Sequence, residues 1–61
     1  MLNEHAIVFA KERISETVDA GCIGVIVYIY DNDTYEVEFF DNNNSTIDIF
    51  TVLEHQIQEK L

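Results

Sequence analysis

The sequence Ile23–Asp41, which reads IGVIVYIYDNDTYEVEFFD, decides the fold of this chain. Val, Ile, Tyr and Phe dominate both halves of the stretch, and these residues are typical of β-strands. The interruption Asp31–Thr34 is a turn, because Asn and Asp tolerate positive φ and bond their own backbone. We therefore predict a hairpin made of strand two, Ile23–Tyr30, and strand three, Tyr35–Asp41.

Turns and apolar runs on either side of this hairpin predict three further strands. Asn42–Ser45 is a second turn, and strand four, Thr46–Thr51, follows it. A short helical turn within Val52–His55 then leads into strand five, Gln56–Glu59. Strand one is Glu4–Ala10, near the start of the sequence, so the fold class is all-β with five strands.

The two ends leave an alternative open, because their apolar residues also recur at helical spacing. These residues are Ile7, Ala10, Ile14 and Val18 at one end and Phe50, Leu53, Ile57 and Leu61 at the other. The strand interpretation is preferred since Ala6–Phe9 is an unbroken apolar run, and it makes Lys11–Ala20 a long charged loop. Gly21 and Gly24 bracket the start of strand two, where a bend or bulge requires a residue without a Cβ atom.

The register of the hairpin predicts which side chains fill the core, because strand side chains alternate between two faces. A hairpin closed at Asp31–Thr34 pairs Tyr30 with Tyr35, and the pairing continues residue by residue from there. The resulting core face is apolar throughout, and its members are Ile26, Tyr28, Tyr30, Tyr35, Val37 and Phe39. Strand four continues this alternation with Ile47 and Ile49 pointing inward.

The opposite side of the same strands combines apolar and acidic residues, and we call it the predicted mixed face. Strands two and three supply Val25, Val27, Ile29, Glu36, Glu38 and Phe40, and strand four supplies Asp48 and Phe50. A solvent-facing side normally reads polar at every second position, and an apolar patch that stays exposed marks an interaction site. We therefore predict a partner-binding surface made of Val27, Ile29, Glu36, Glu38, Phe40, Asp48 and Phe50.

Length and charge limit the classes of partner. The 61 residues form one domain, residues 1–61, near the lower size limit for folding without a disulfide or metal. Twelve acidic residues against three basic ones give a net charge of −9, which repels nucleic acid and anionic membranes. The same charge speeds the encounter with a basic protein. The simpler interpretation, that the charge only keeps the chain soluble, stays open.

Cysteine content and hydropathy indicate the compartment. Cys22 is the single cysteine, so no intramolecular disulfide and no paired-cysteine zinc site can form. Its thiol has Asp19 as the nearest charge, which disfavours a reactive thiolate and favours a packing role. The longest apolar run, Val25–Tyr30, is far shorter than the roughly 20 residues of a membrane span, and no signal peptide is visible. We expect a reducing, cytoplasmic location without contact with membranes.

Candidate catalytic and metal-binding patterns each have a simpler structural interpretation. Asp31–Glu36 begins like a calcium-binding loop but lacks the glycine and glutamate that such a loop requires. His5 and His55 would approach each other if strands one and five pair, yet no metal-ligand spacing supports a site. Glu36 and Glu38 lie about 6.5–7 Å apart along one strand, but glycoside hydrolysis by such a pair needs a deep cleft. We expect a non-enzymatic chain with no catalytic residue, metal site or cofactor.

The sequence also resembles a known family in the stretch that decides the fold. Ala20–Tyr30 and Tyr35–Phe39 are similar to the "AGxxGxVV" and "YEVEF" hallmarks of small bacterial proteins called domain of unknown function 4926. The resemblance implies a five-stranded barrel like that of Src-homology-3 (SH3) domains, a fold that commonly binds proteins or nucleic acid rather than catalyses. It also implies toxin–antitoxin or immunity settings for some members.

Two functional hypotheses from different classes follow. The first is a non-catalytic, antitoxin-like or immunity-like module that docks a basic protein through the predicted mixed face. The second is structural: the same face builds a homodimer or a larger assembly, and the charge keeps it soluble. Nucleic-acid binding, by analogy with related barrels, is disfavoured by the net charge of −9.

Overall fold

The strands of this protein closely follow its apolar runs, and a computed structural model describes residues 2–31 and 33–61. The elements are β1 (Ile7–Ala10), β2 (Ile23–Asp31), β3 (Thr34–Phe40), β4 (Thr46–Leu53), the 3-10 helix η1 (Glu54–Gln56) and β5 (Ile57–Glu59). The predicted all-β class and the short helical turn before the last strand are confirmed. The strand interpretation of both ends is confirmed as well, although β1 starts three residues later than predicted, after a turn that contains His5 at φ 70°.

All five strands form one antiparallel sheet in the order β4-β3-β2-β1-β5. β1 joins the hairpin to the last strand, because Val8 pairs with Gly24 on one side and with Glu59 on the other. β4 and β5 are the two edge strands, and within the described residues no ladder connects them. The sheet is therefore not closed by hydrogen bonds into a complete barrel.

One side of the sheet carries the core. The side chains buried there are Val8, Ala10, Val18, Ile26, Tyr35, Val37, Phe39, Val52 and Ile57. All of them come from strands except Val18, which lies in the long loop between β1 and β2. The Ser15 hydroxyl oxygen accepts hydrogen bonds from the peptide N–H groups of Thr17 and Val18, and this local turn directs Val18 into the core.

The hairpin register differs from the predicted one at two places in β2. The turn closes as predicted, with Asp31 opposite Thr34, but Asn32 lies outside the described residues. Pairing then shifts by one residue between Ile29 and Asp31 and again between Ile26 and Tyr28. Each shift leaves an extra residue on β2, as in a β-bulge, which increases the local strand twist.

These two shifts decide which predicted core residues are correct. Tyr28 pairs with Glu36, so Tyr28 and Tyr30 are 53% and 54% exposed, and their predicted place in the core is wrong. Ile29 pairs with Tyr35 and packs against the core instead. The second shift restores the original alternation, so the prediction is confirmed for Ile26, Tyr35, Val37 and Phe39.

The predicted alternation of β4 is also wrong in part. Val37 pairs with Phe50 and Glu38 with Ile49, so Phe50 faces the core while Ile49 is exposed. The Phe50 ring packs against the buried Phe39 ring at a centroid distance of 6.3 Å. A further irregularity at the start of β4 accounts for the difference, since one residue of slippage exchanges the two faces of a strand. Ile47 packs against the core, as predicted.

The two glycines before and within β2 are each required by geometry. Gly21 has φ +92°, a conformation that residues with a Cβ atom rarely adopt. A Cβ atom on Gly24 would lie 2.6 Å from Val37 Cγ1 and 2.9 Å from Phe39 Cδ1. Glycine is therefore required at this position, but not for the predicted bend or bulge: pairing is regular at Gly24, and the Val37 and Phe39 side chains occupy the space that a Cβ atom would need.

Candidate functional site

The side of the sheet that faces away from the core is the candidate site, and we call it the outer face. Strand alternation assigns to it Ile7, Val25, Tyr28, Tyr30, Glu36, Glu38, Phe40, Thr46, Ile49 and Thr51. The long loop packs on the other side of the sheet, where Val18 is buried and Ile14 contacts the core.

Two half-buried carboxylates lie in the middle of the outer face, and hydroxyl groups hold both of them. Glu36 accepts hydrogen bonds from Thr51 Oγ1 at 2.6 Å and from Tyr30 Oη at 3.0 Å. Glu38 accepts a hydrogen bond from Thr46 Oγ1 at 2.7 Å. Hydroxyl donors orient a carboxylate without neutralising it, so these bonds fix two negative charges that remain available to a cation.

Two exposed tyrosines lie beside Glu36. The rings of Tyr28 and Tyr30 meet edge to face, with centroids 5.0 Å apart and an interplanar angle of 73°. The hydrogen bond to Glu36 is the main cause that raises the pKa of Tyr30 above its usual range. Aromatic faces next to a carboxylate attract a guanidinium or ammonium group by two mechanisms at once, cation–π attraction and charge pairing.

Aliphatic side chains surround Glu38. Strand pairing sets Ile7, Val25, Glu38 and Ile49 side by side across four strands. Ile7 and Ile49 are each 49% exposed, a high value for residues of this type. The outer face therefore offers apolar area, which is typical of the centre of protein interfaces, on both sides of a negative charge that a cation of the partner would have to pair.

The structure brings together only part of the predicted binding surface. Glu36, Glu38 and Phe40 lie on the outer face as predicted, and Val27 lies half-buried at the second register shift. Ile29 and Phe50 pack against the core, so their predicted place on the exposed side is wrong. Asp48 is exposed on the edge strand β4, but it lies opposite Phe39 whereas Ile49 lies opposite Glu38, so its predicted place beside Glu38 is wrong.

Sequence reasoning missed several residues of the outer face. They are Ile7, Tyr28, Tyr30, Thr46, Ile49 and Thr51. One signal was available for the tyrosines, because an amphipathic ring at the end of a strand is often placed with its hydroxyl in water. No comparable signal marked Ile49, since its orientation depends on an irregularity in the β3–β4 ladder.

The histidines considered for metal binding and the single cysteine have simpler structural surroundings. No group of three or more His, Cys, Asp or Glu residues in ranges 2–31 and 33–61 could hold a metal ion. β1 and β5 do pair, but Ala10 lies opposite Ile57, so His5 and His55 fall beyond opposite ends of this ladder. Cys22 Sγ donates to the Phe40 carbonyl at 3.1 Å, and burial raises the pKa of this thiol.

Both aspartate turns of the chain, including the one considered as a calcium loop, have a carboxylate that bonds the turn's own backbone. Asp41 Oδ1 accepts hydrogen bonds from the N–H groups of Asn43 and Ser45, and Asn44 takes φ 64°. Asp31 Oδ1 accepts a hydrogen bond from the N–H of Asp33. Among the helices in the described parts of the chain, none has the length and apolar character needed to cross a bilayer.

Comparison with known proteins gives a family but no activity. A family model described as "Domain of unknown function (DUF4926)" matches residues 4–59, a range that contains all five strands. The resemblance predicted from Ala20–Phe39 is therefore confirmed. No curated protein and no solved structure shows significant similarity to the chain.

Proposed function

The chain belongs to the DUF4926 family, whose description states no activity, and we propose that it is a non-catalytic module that binds a basic protein. The observation that carries the proposal is the pair of hydroxyl-held carboxylates, Glu36 and Glu38, set among exposed apolar and aromatic side chains. Such a face combines a desolvated contact area with charges that select the partner.

Charge complementarity supports a basic partner. The chain has a net charge of −9, and its basic residues are Lys11, Arg13 and Lys60. The Arg13 guanidinium donates to the carbonyls of Ser15 and Glu16 within the long loop rather than to the two carboxylates of the outer face. A cationic side chain at Glu36 or Glu38 is therefore best supplied from outside the chain.

Arginine fits the outer face better than lysine. Its planar guanidinium can stack on Tyr28 or Tyr30 while it donates two parallel hydrogen bonds to Glu36. Lysine offers a single ammonium that is more strongly hydrated and costs more to desolvate. The preferred partner thus presents arginine between apolar side chains that contact Ile7, Val25 and Ile49.

The finer proposal concerns the cellular role. An antitoxin-like or immunity-like protein that covers a basic, nucleic-acid-processing enzyme would need a small size, a strong negative charge and an apolar contact face. The chain has 61 residues and a net charge of −9, which suit that role. A cytoplasmic location and the absence of catalysis are part of the same proposal.

A homodimer through the outer face is the second candidate, since Tyr28, Tyr30 and Ile49 are large exposed side chains. A two-fold dimer uses the same patch on both subunits, so it would bring the carboxylates Glu36 and Glu38 of two copies together. Like-charge repulsion disfavours that arrangement. Sedimentation separates the two candidates, because the preferred function requires a monomer at micromolar concentration.

The experiment compares two double variants that remove the same amount of charge. A partner is isolated from the native host and purified, and its affinity is measured for two double variants. The outer-face variant carries Glu36→Gln and Glu38→Gln, and the loop variant carries Glu12→Gln and Glu16→Gln. Charge-assisted hydrogen bonds contribute about 1.5–3 kcal/mol each, so the outer-face variant should bind at least tenfold more weakly.

The loop variant is the control, because Glu12 and Glu16 are exposed in the long loop that packs on the core side. Its affinity should stay within about threefold of the original chain, which is the effect of net charge alone. Equal losses in both variants would contradict the proposal, since net charge rather than the outer face would then control binding.

A further inference from the structure

The free edge of β4 presents the backbone N–H and C=O groups of every second residue. The N–H of Glu54 donates to the Asp33 carbonyl at 2.8 Å. Because the register is regular from there to Asp48, the backbone groups of the even-numbered residues in this part of β4 bond to β3. Consecutive backbone groups in an antiparallel strand point to opposite sides. The N–H and C=O groups of Ile49, Thr51 and Leu53 therefore point away from the sheet, toward the free edge.

Two of these three N–H groups are covered by side chains. The Ile49 N–H donates to Asp48 Oδ1 at 2.8 Å, and the Leu53 N–H donates to Gln56 Oε1 at 2.8 Å. In the described part of the chain no side chain accepts a hydrogen bond from the N–H of Thr51, which lies between them. The middle of the edge is thus open while both of its ends carry displaceable side-chain acceptors.

The Ile49–Leu53 part of this edge lacks the protection that exposed strands usually carry. Native proteins discourage strand addition with charged side chains, above all lysine, with proline, with β-bulges or with a very short edge strand, and the irregularity of the β3–β4 ladder lies before Asp48. β4 is eight residues long, reads TIDIFTVL, and contains no lysine, arginine or proline. Asp48 is its single charged residue, and a negative charge discourages a second acidic chain more than a basic one.

We propose that the partner contributes an extended basic segment that adds to the free edge of β4 as a sixth strand, an inference that rests on the proposed function. Strand addition gives affinity through main-chain hydrogen bonds and specificity through alternate side chains. An added strand would lie about 10 Å from β3, two strand spacings away. Arginines of the added strand that lie on the outer-face side of the sheet would reach across Ile49 to Glu38 and across Thr51 to Glu36.

Charge decides between this occupant and a second copy of the chain. Pairing of two β4 edges would bring together two copies of Asp48 and of the outer-face carboxylates, in chains that each carry a net charge of −9. A basic segment meets the same groups with attraction. The strand edge and the outer face then act as one continuous surface for one partner.

A cavity of about 590 Å³ lies at the Leu53 end of the edge, and its lining suits a basic segment with apolar residues. Its apolar lining comes from Leu2, Leu53 and Ile57. Three carboxylates, those of Asp33, Glu54 and Glu59, face one lysine, Lys11, around it. A segment that continues past β4 would thus find an apolar pocket with a net negative rim.

The test uses a fluorescein-labelled octapeptide of alternating arginine and valine as the probe and compares two substitutions at one position. Thr51→Pro removes the free-edge N–H, and it spares the β3 ladder because that N–H does not point toward β3. Thr51→Val keeps the N–H but, like proline, loses the hydroxyl that bonds Glu36. Strand addition predicts that the proline variant binds the octapeptide at least tenfold more weakly than the valine variant.

Amide exchange in the unmodified chain gives an independent readout that does not depend on a variant's folding. Saturation with the octapeptide should slow exchange of the Thr51 N–H at least tenfold, because a new ladder bond would protect it. Equal affinity of the two Thr51 variants, or unchanged exchange at Thr51, would overturn the added strand.

The outcomes also distinguish this inference from the proposed function. Octapeptide binding that is lost in the Glu36→Gln, Glu38→Gln variant but is equal in the two Thr51 variants would overturn strand addition and leave the outer-face function standing. A dimer of the unmodified chain that Thr51→Pro converts to monomers would overturn the basic segment in favour of a second copy. Failure of the unmodified chain to bind the octapeptide at all would count against both.

Discussion

At the residue scale, the outer face depends on two residues of β2 that have no opposite partner in β3. Pairing advances from Asp31–Thr34 to Ile29–Tyr35 and then from Tyr28–Glu36 to Ile26–Val37, so Tyr30 and Val27 are left over. The first of these shifts places the Tyr30 hydroxyl 3.0 Å from Glu36. A regular ladder would have placed both tyrosines in the core and left Glu36 without this donor.

The ionisation of Tyr30 tests this contact directly. The hydrogen bond to Glu36 raises the pKa of Tyr30, so Glu36→Gln should lower that pKa toward the ordinary value of about 10. Ultraviolet absorbance of tyrosinate during an alkaline titration measures it, with Thr51→Val as a control that leaves the Tyr30 contact in place. An unchanged Tyr30 titration in Glu36→Gln would contradict the register described here.

The same contact has a consequence for stability at high pH. A phenol whose folded pKa is raised stabilises the fold fully below the unfolded pKa and loses that effect as pH rises through the folded pKa. Stability should therefore fall above about pH 10, and the fall should be smaller in Glu36→Gln. Burial raises the pKa of Tyr35 in the same direction, so the difference between the two chains, measured by urea unfolding, is the informative quantity.

Gly24 leaves room for the Val37 and Phe39 side chains of the neighbouring strand β3. Gly24→Ala should destabilise the fold by about 1–3 kcal/mol through overpacking, because its Cβ would lie 2.6 Å from Val37 Cγ1. Chemical unfolding measures this cost. Val37→Ala removes the clashing methyl group, so the two substitutions combined should cost less than the sum of their separate effects; additive costs would contradict the proposed clash.

At the element scale, β4 links the core to the candidate site, because its alternate residues serve opposite faces. Phe50 and Val52 face the core, while Ile49 and Thr51 belong to the outer face. From Asp48 onward its backbone divides in the same way, with even-numbered residues bonded to β3 and odd-numbered residues facing the free edge. One strand thus supplies core packing, a hydroxyl donor for Glu36 and the proposed site of strand addition.

A matched pair of alanine substitutions tests this orientation. Phe50→Ala should cost about 2–4 kcal/mol, near the lower end for large aromatic truncations in cores, because the half-buried ring packs against Phe39. Ile49→Ala should cost less than about 1 kcal/mol, since the side chain is 49% exposed. Urea unfolding of both variants measures the two losses of stability. A larger loss for Ile49→Ala than for Phe50→Ala would contradict this orientation of β4 and support the alternation predicted from the sequence.

The elements were predictable from the sequence, whereas their register was not. Alternating apolar residues, the Asp and Asn turns and the glycines before β2 indicate five strands through local chemistry alone. The shifts at Val27 and Tyr30 have the form of β-bulges, which depend on how a strand fits the rest of the sheet rather than on local composition. The core role of Val18 was missed for another reason: its spacing from Ile7, Ala10 and Ile14 indicates a helix, whereas this end of the chain forms a strand and a loop.

For the candidate site, sequence reasoning identified the acidic centre but not its surroundings. Glu36 and Glu38 lie on β3, where the alternation is regular and every second residue is buried. The apolar residues predicted on this face from β2 and β4 are wrong near the register shifts of these strands, where a neighbouring residue lies on the outer face instead. Tyr28, Tyr30 and Ile49 thus replace Ile29 and Phe50 on the exposed side.

At the scale of the whole molecule, charge and exposed apolar surface act together. A sheet of five strands with one core side leaves its other side and two edges to solvent. The net charge of −9 opposes self-association through that apolar surface and attracts a basic chain to it. Both the function and the strand addition proposed above use this combination.

The most direct test of the central claim is an amide proton–nitrogen correlation spectrum of the chain during titration with the arginine–valine octapeptide. Binding at the outer face predicts that the largest shift changes occur at Tyr28, Tyr30, Glu36, Glu38 and Ile49. The amides of the loop at 12–20, on the core side, should change little. Shift changes concentrated in that loop, or none at saturating octapeptide, would contradict the account.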